Sequence, residues 1–418
     1  MAAQHPGIDF GTTNSTIGLC GPDGTPRLLG VEGEHQTIPS ALFFSLEDGR
    51  TYFGRAAVAE YVDGAEGRFM RALKSILGTS LMKEKTQVFR ERMGFGEVIG
   101  RFLRNLRAGL EEDGASVEQA VFGRPVRFVD EDEVADRTAE DQLREAARAE
   151  GFRHVEFQFE PVAAALFHET TLREEKLALV VDIGGGTSDF TVVRLGPERS
   201  GNPDRRDDIL SSSGVHVGGT DFDRLFNLAS VQPLLGLGSE TADGKRRMPV
   251  WLFNDLATWH RVNLLYTPKV LRDVSGLRRE AAEPEKLDRL EHVLKHRSGH
   301  RIAGAAEAAK IRLTDESETL ITLQEPGLSL SVPATREGFE AATADLVRRI
   351  GSAIDEALRQ AGVGADAIET VILTGGGAQV PAVFQAATGR FPGAEIARSD
   401  AFGSVGLGLG IDARRRFG

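Results

Sequence analysis

VVDIGGGTSDF, residues 180–190, runs an apolar stretch into Asp182, then three glycines, then Thr187, Ser188 and Asp189. Gly184, Gly185 and Gly186 strip side chains from one loop, and glycine in a regular element costs about 0.5–1 kcal/mol relative to alanine. The plain reading is a tight hairpin between Val180–Ile183 and Phe190–Val193. The other is an anion cradle: bare backbone N–H groups face a phosphate, and Asp182 and Asp189 hold its metal.

A partner stretch adds weight to the second reading. GIDFGTTNSTIGL, residues 7–19, places Asp9 at the end of a short apolar run, followed by Gly11, Thr12 and Thr13. A repeated strand, Asp, Gly/Thr turn and returning strand implies two related halves, each presenting a hairpin with a carboxylate and hydroxyls at its tip. Helical spacing of Ile99, Phe102, Leu103, Leu106 and Leu110 predicts a helix over 97–112, a strand follows at 120–125, and a second helix spans 131–150. Val155, Phe157 and Phe159 alternate as a strand, and Pro161 opens a helix. In the second half, Phe339, Leu346, Ile350, Ile354 and Leu358 mark a helix stopping near Gly362. TVILT (370–374) then reads as a buried strand leading into Gly375, Gly376 and Gly377, with Pro381 opening another helix. This strand, glycine turn and helix is a third candidate nucleotide contact, with free N–H groups at the helix start. Pro197–Asp208 reads as an exposed loop.

Composition narrows the class. The 418 residues, 41% hydrophobic and 27% charged, are ordinary for a soluble globular protein of two or three compact units. A net charge of −12 argues against nucleic acid or an anionic membrane as partner, because both need clustered Lys and Arg. Cys20 is the single cysteine, so no internal disulfide exists. No stretch reaches the length of a membrane span, and no basic-then-apolar leader opens the chain. The expected compartment is therefore the reducing cytoplasm.

GIDFGTTNS (7–15), LKSILG (73–78), EPVAAAL (160–166), DIGGGTSDF (182–190), GGTDFD (218–223), EAAKIRL (307–313) and TGGGAQVP (374–381) occur in this order. Together they resemble the nucleotide-binding domain of the heat-shock protein 70 family (DnaK-like), and more closely its short YegD-like members. The resemblance implies an α/β actin-like ATPase fold: two ribonuclease-H-like lobes with inserted subdomains around a central nucleotide cleft. It puts lobe I at 1–172 with an insert at about 37–112, lobe II at 173–396 with a helical insert at about 223–310, and a returning segment at 397–418. It also implies ATP or ADP with Mg²⁺, the metal shell held through waters by Asp9 and Asp182. Thr12, Thr13, Gly185 and Gly186 would bind phosphate oxygens. Lys74 would lie against the terminal phosphate, with Glu160, Asp189 and Thr187 orienting the attacking water. Glu307 and Lys310 match ribose contacts, and Gly219 and Gly376 match backbone approaches. Gly11, Gly184, Gly218, Gly375 and Asp400 complete the nucleotide set.

Two departures from the family stand out. Ile311 and Gln379 occupy the positions of the two arginines that usually sandwich adenine, a loss of about 0.5–2 kcal/mol for each cation–π layer. The sequence also stops after RSDAFGSVGLGLGIDARRRFG with no linker or peptide-binding domain, which argues against a J-domain partner. Core packing is the simplest reading of WLFNDLATWHRVNLLY (251–266), though its Trp, Tyr and Arg suit a protein partner docking on the 223–310 subdomain. His292, His296 and His300 fall at helical spacing and read as a solvated face, with metal or partner binding as the alternative. The function expected is a slow ATPase with nucleotide-gated partner binding. The alternatives are an actin-like filament protein, a small-molecule kinase or phosphatase on the same fold, and a regulator that no longer hydrolyses.

Overall fold

A computed structural model describes residues 4–129, 132–202, 204–398 and 403–418. Two mixed sheets in it are built alike. In the first, the spatial order is His154–Phe159, Gln119–Arg124, Gly7–Phe10, Asn14–Cys20 and Pro26–Leu28, with Thr37–Pro39 also pairing on Asn14–Cys20. In the second it is Glu395–Arg398, Thr370–Thr374, Lys176–Ile183, Ser188–Leu195 and Ile209–Val215. Each sheet centres on the strand that carries the repeated aspartate. On one side that strand joins an antiparallel hairpin; on the other it pairs in parallel, Gly7–Phe10 with Gln119–Arg124 and Lys176–Ile183 with Thr370–Thr374. Short glycine turns suffice for the hairpins, whereas a parallel neighbour needs a helical crossover, as helix Glu133–Ala149 supplies between Gln119–Arg124 and His154–Phe159. The repeat in sequence is thus a repeat of topology.

The helices follow the apolar spacing. Helix Phe95–Asp113 buries Val98, Ile99, Phe102, Leu103, Leu106 and Leu110, and Phe102 packs against Phe10 with ring centroids 5.7 Å apart. Helix Glu133–Ala149 begins two residues later than the spacing suggests because Asp132 takes the cap position, its carboxylate accepting the N–H groups of Val134 and Ala135.

Helix Ser404–Phe417 lies across the strand and helix that flank the site, packing on Asn14–Cys20 and on helix Glu160–Glu169. Glycine makes the approach feasible: a Cβ at Gly408 would fall 1.8 Å from the Ala163 carbonyl oxygen, and one at Gly18 would fall 1.8 Å from the Gly406 oxygen. Backbone rather than a movable side chain blocks each position. Gly408→Ala is therefore expected to cost about 1–3 kcal/mol through forced displacement, read as a lowered urea midpoint with unchanged slope. An unshifted midpoint would contradict this packing.

The chain divides into two compact units, Met1–His216 with Ser352–Ala378 and Ala387–Gly418, and Val217–Gly351 with Gln379–Ala386. Both mixed sheets belong to the first. The second contains helices Gly219–Ser230, Val250–Ala257, Pro268–Glu280, Pro284–Lys295 and Gly299–Arg312, and the hairpin Glu318–Glu325/Leu328–Thr335. Ile321, Leu323, Leu330 and Val332 form the buried face of that hairpin.

The loop Pro197–Asp208 is exposed along most of its described length, as its composition suggests, but it buries Arg205 and Asp208. Arg205 is only 1% exposed, and its guanidinium donates to both oxygens of Glu169, at 2.9 and 2.7 Å, and to Asp208. Glu169 also accepts the Gly196 N–H at 3.0 Å. Within an otherwise exposed loop, Arg205 and Asp208 thus form a buried ion network that composition does not reveal. Removing one partner would strand a buried charge.

Candidate functional site

Three glycine turns meet in the first unit. The Gly184 N–H donates to the Thr187 carbonyl at 2.9 Å and closes the triple-glycine turn. A Cβ at Gly185 would lie 2.4 Å from Thr13 Oγ1, so the absent side chain lets the first Gly/Thr turn reach the second. Gly375 adopts φ +80°, and a Cβ there would lie 2.2 Å from the Ile183 carbonyl oxygen; one at Gly377 would lie 2.3 Å from the Ile183 side chain. The third glycine run therefore packs directly behind Gly184–Gly186. Gly376 opens the short turn Gly376–Gln379 that precedes helix Pro381–Thr388.

Charged groups converge beside these turns. Asp9 lies one residue before the end of its strand, and Asp182 pairs across the hairpin with Asp189. Asp189 accepts a hydrogen bond from Thr187 Oγ1 at 3.3 Å. Lys74, on the short turn Leu73–Ile76, is 7% exposed and pairs with Glu160 at the start of helix Glu160–Glu169. Burial works against the ammonium, but Glu160, Asp9 and Asp182 outweigh it and raise its pKa. Asp9 and Asp182 retain some contact with solvent, yet both titrate far above ordinary carboxylates. Burial, with Glu160 adding repulsion, lifts Asp9 to about 7. Burial, with Asp189, Glu160 and Asp9 adding repulsion, lifts Asp182 to about 8.

The charge balance tests whether a cation fits. With Asp9, Asp182, Asp189 and Glu160 ionised against one ammonium at Lys74, the cluster carries a net negative charge. A divalent ion held through water by two hard carboxylates offsets that charge. Among the described residues no group of three or more His, Cys, Asp or Glu is arranged to hold a metal directly, so the residues here suit a water-rich shell.

A second set of candidates lies in the other unit. Gly218 and Gly219 lead into helix Gly219–Ser230, with the Gly218 N–H donating to Asp221 at 3.1 Å. Glu307, Lys310 and Ile311 share helix Gly299–Arg312. Lys310 Nζ is 2.7 Å from Asp223 Oδ1. Burial raises Asp223 to about 6; Lys310 opposes the shift and Glu307 reinforces it. Ile311 is 59% exposed and Gln379 is also exposed. Asp400 lies outside the described residues.

The histidine trio is divided among other partners. His292 pairs with Glu325 at 3.0 Å and stacks on His296 at 4.0 Å; His296 Nδ1 is 3.0 Å from the His292 carbonyl oxygen, and His300 Nε2 is 3.0 Å from that of Trp259. Burial drives the His300 pKa down to about 4. The solvated-face reading fails for His300, which is 3% exposed. The segment 251–266 likewise splits, into helix Val250–Ala257 and the short turn Val262–Leu265, burying Leu252, Phe253 and Leu256 while Trp251 stays 48% exposed.

Twin Asp-bearing hairpins with parallel neighbours, joined by glycine turns, define an α/β fold of the actin-like ATPase class. Comparison with known proteins agrees. A family model described as Hsp70 protein matches residues 277–400, and one described as MreB/Mbl protein matches residues 115–244. Chaperone protein DnaK of Thermosipho melanesiensis is 28% identical over 387 residues, and that of Thermosipho africanus 29%, each alignment covering 90% of this chain and 53% of the relative. DnaK of Deinococcus proteolyticus is 25% identical over 447 residues, covering 98% and 59%. These matches, which together with the relatives cover about 90% of the chain, support a likeness to the DnaK-like nucleotide-binding domain of the Hsp70 family. It spans about half the length of the curated relatives it matches. Among the described residues no helix is long and apolar enough to cross a membrane.

Proposed function

We propose that this chain binds ATP with Mg²⁺ and hydrolyses it slowly, in the manner of heat-shock protein 70, and that nucleotide state gates a protein partner read by the 223–310 subdomain. The observation that carries this reading is the buried Lys74–Glu160 pair set among Asp9 and Asp182 beside three glycine turns. A bound Mg²⁺ would supply charge neutralisation between phosphate oxygens, held through water by Asp9 and Asp182. In this reading Gly11–Thr13 and Gly184–Gly186 receive the phosphates. Water adds to the terminal phosphorus as the bond to the ADP oxygen breaks; Glu160, Asp189 and Thr187 orient that water. Lys74 Nζ keeps its proton at neutral pH and offsets charge in the transition state. By the family resemblance, Glu307 and Lys310 are the proposed ribose contacts, Gly218, Gly219, Gly375 and Gly376 the proposed backbone approaches, and Ile311 stands at a position where an arginine would stack.

The lobes proposed are 1–172 and 173–396 with a return at 397–418. The setting proposed is the cytoplasm, which suits the single, buried Cys20 thiol. Neither nucleic acid nor a J-domain protein is proposed as partner.

Calorimetric titration with ATP and ADP in Mg²⁺, with phosphate release followed in parallel, tests the reading. Binding with slow release, abolished in the Lys74→Ala, Asp182→Asn double variant, is expected; silence at millimolar nucleotide would overturn it. The MreB/Mbl match at 115–244 favours a second reading, a filament-forming protein, for which nucleotide-dependent sedimentation is the discriminating observation.

A further inference from the structure

We infer that Ser40 is a positioning residue for the first phosphate turn, Gly11–Thr13, an assignment that rests on the nucleotide reading above. Ser40 lies between strands Thr37–Pro39 and Ala41–Ser45 and holds that turn twice. Its backbone N–H donates to the Thr13 carbonyl at 2.8 Å, and its hydroxyl donates to the Gly11 carbonyl at 2.6 Å. A hydroxyl has one proton, and Ser40 has committed it to Gly11. Ser15 must therefore be the donor in the 2.9 Å contact between Ser15 Oγ and Ser40 Oγ. Ser15 is 0% and Ser40 2% exposed, so water does not compete for these bonds.

The direction of the clamp matters for binding. In a trans peptide the C=O and the following N–H point to opposite sides. Fixing the Gly11 carbonyl on Ser40 aims the Thr12 N–H away from Ser40, toward the side on which an anion would be received. The turn has no room for a side chain at Gly11, where a Cβ would meet the Asn14 carbonyl oxygen at 2.1 Å.

The same residue is tied to the lysine. Ala41, next in sequence, pairs with Arg71 across the inserted sheet. Arg71 leads into Ala72, whose left-handed φ of 56° is an unusual conformation for a residue with a Cβ. Ser75 captures the Ala72 carbonyl through its hydroxyl at 2.7 Å and its N–H at 3.1 Å, which fixes the turn carrying Lys74. One stretch of inserted sheet thus sets the orientation of the phosphate turn and the approach of the ammonium together. In sequence Ser40 is only the residue after Pro39, with no motif to mark it.

The test is a double-mutant cycle on the full chain with Mg·ATP, using Ser40→Ala, Thr13→Ala and the pair, reading kcat/KM and thermal midpoint. Ser40→Ala is expected to lower kcat/KM about tenfold, and adding it to Thr13→Ala is expected to cost less than about twofold more. Should Ser40→Ala not fold, Ser40→Cys carries the same cycle, because sulfur fills the site with a weaker donor; an intermediate loss with the same coupling is expected. Unchanged kcat/KM, or losses that simply multiply, would show Ser40 to be structural only and overturn the assignment. A parent chain that neither binds nor turns over nucleotide would bring down the nucleotide reading and the assignment together, whereas an active parent with an indifferent Ser40→Ala defeats the assignment alone.

Discussion

Lys74→Ala binds Mg·ATP within about tenfold of the parent chain and hydrolyses it about 10³-fold more slowly in single turnover; this is the largest expected effect on rate. The reason lies in when the charge acts. Lys74 sits 7% exposed against Glu160, with Asp9 and Asp182 adding to its field, so its proton is held where negative charge builds as the phosphoryl group transfers. The ground-state nucleotide keeps its other contacts. Alanine leaves Glu160 without its cation, and the loss falls on kcat more than on KM. Single-turnover quench experiments at saturating ATP decide it. A fall in binding with unchanged turnover would make Lys74 an affinity residue and remove it from the chemistry.

Asp182→Asn has the second largest effect, and its sign is opposite for stability and for function. The folded carboxyl titrates at about 8, against roughly 3.9 when unfolded. The folded state therefore holds a proton that the unfolded state has lost. Without cation, stability falls as pH rises from about 4 through about 8, at up to about 1.4 kcal/mol per pH unit for this group. Asparagine removes the penalty, so the metal-free variant is expected to exceed the metal-free parent by up to about 5 kcal/mol at pH 8, with a gap that narrows steadily toward pH 5. Adding Mg²⁺ to the parent recovers part of the gap and does nothing for the variant. Urea melts across this range with and without Mg²⁺ provide the measurement. Parallel curves for the two proteins would mean Asp182 is already ionised and solvated in the folded state.

The elements that sequence made legible share one trait: their logic is local. Asp9 and Asp182 stand out because each precedes a glycine turn within three or four residues, and the helix at 95–113 is written in apolar spacing. The twin sheets follow from that repetition. What stayed hidden depends on partners far away in the chain. Arg205 looks solvated until Glu169, thirty-six residues earlier, is placed around it. Lys310 reads as a ribose contact, but its close pairing with Asp223 needs helices Gly219–Ser230 and Gly299–Arg312 side by side. His300 shares helical spacing with His292 and His296, yet a break after Lys295 puts it on another helix, under Trp259. Periodicity predicts which face of an element is apolar; it does not predict which polar group across the fold will meet it.

The glycine seam of helix Ser404–Phe417 bears on how the chain is made. A side chain at Gly7 would collide with Leu409 and Gly410, and Gly18 abuts Gly406, so these early strands rest on residues that leave the ribosome long after them. The hairpin carrying Asp9 can form early, but its outer layer arrives only after the whole intervening stretch has been made. Until then the apolar backs of Gly7–Phe10 and Asn14–Cys20 lack their cover, and a nascent chain of this protein depends on whatever shields them in the interval.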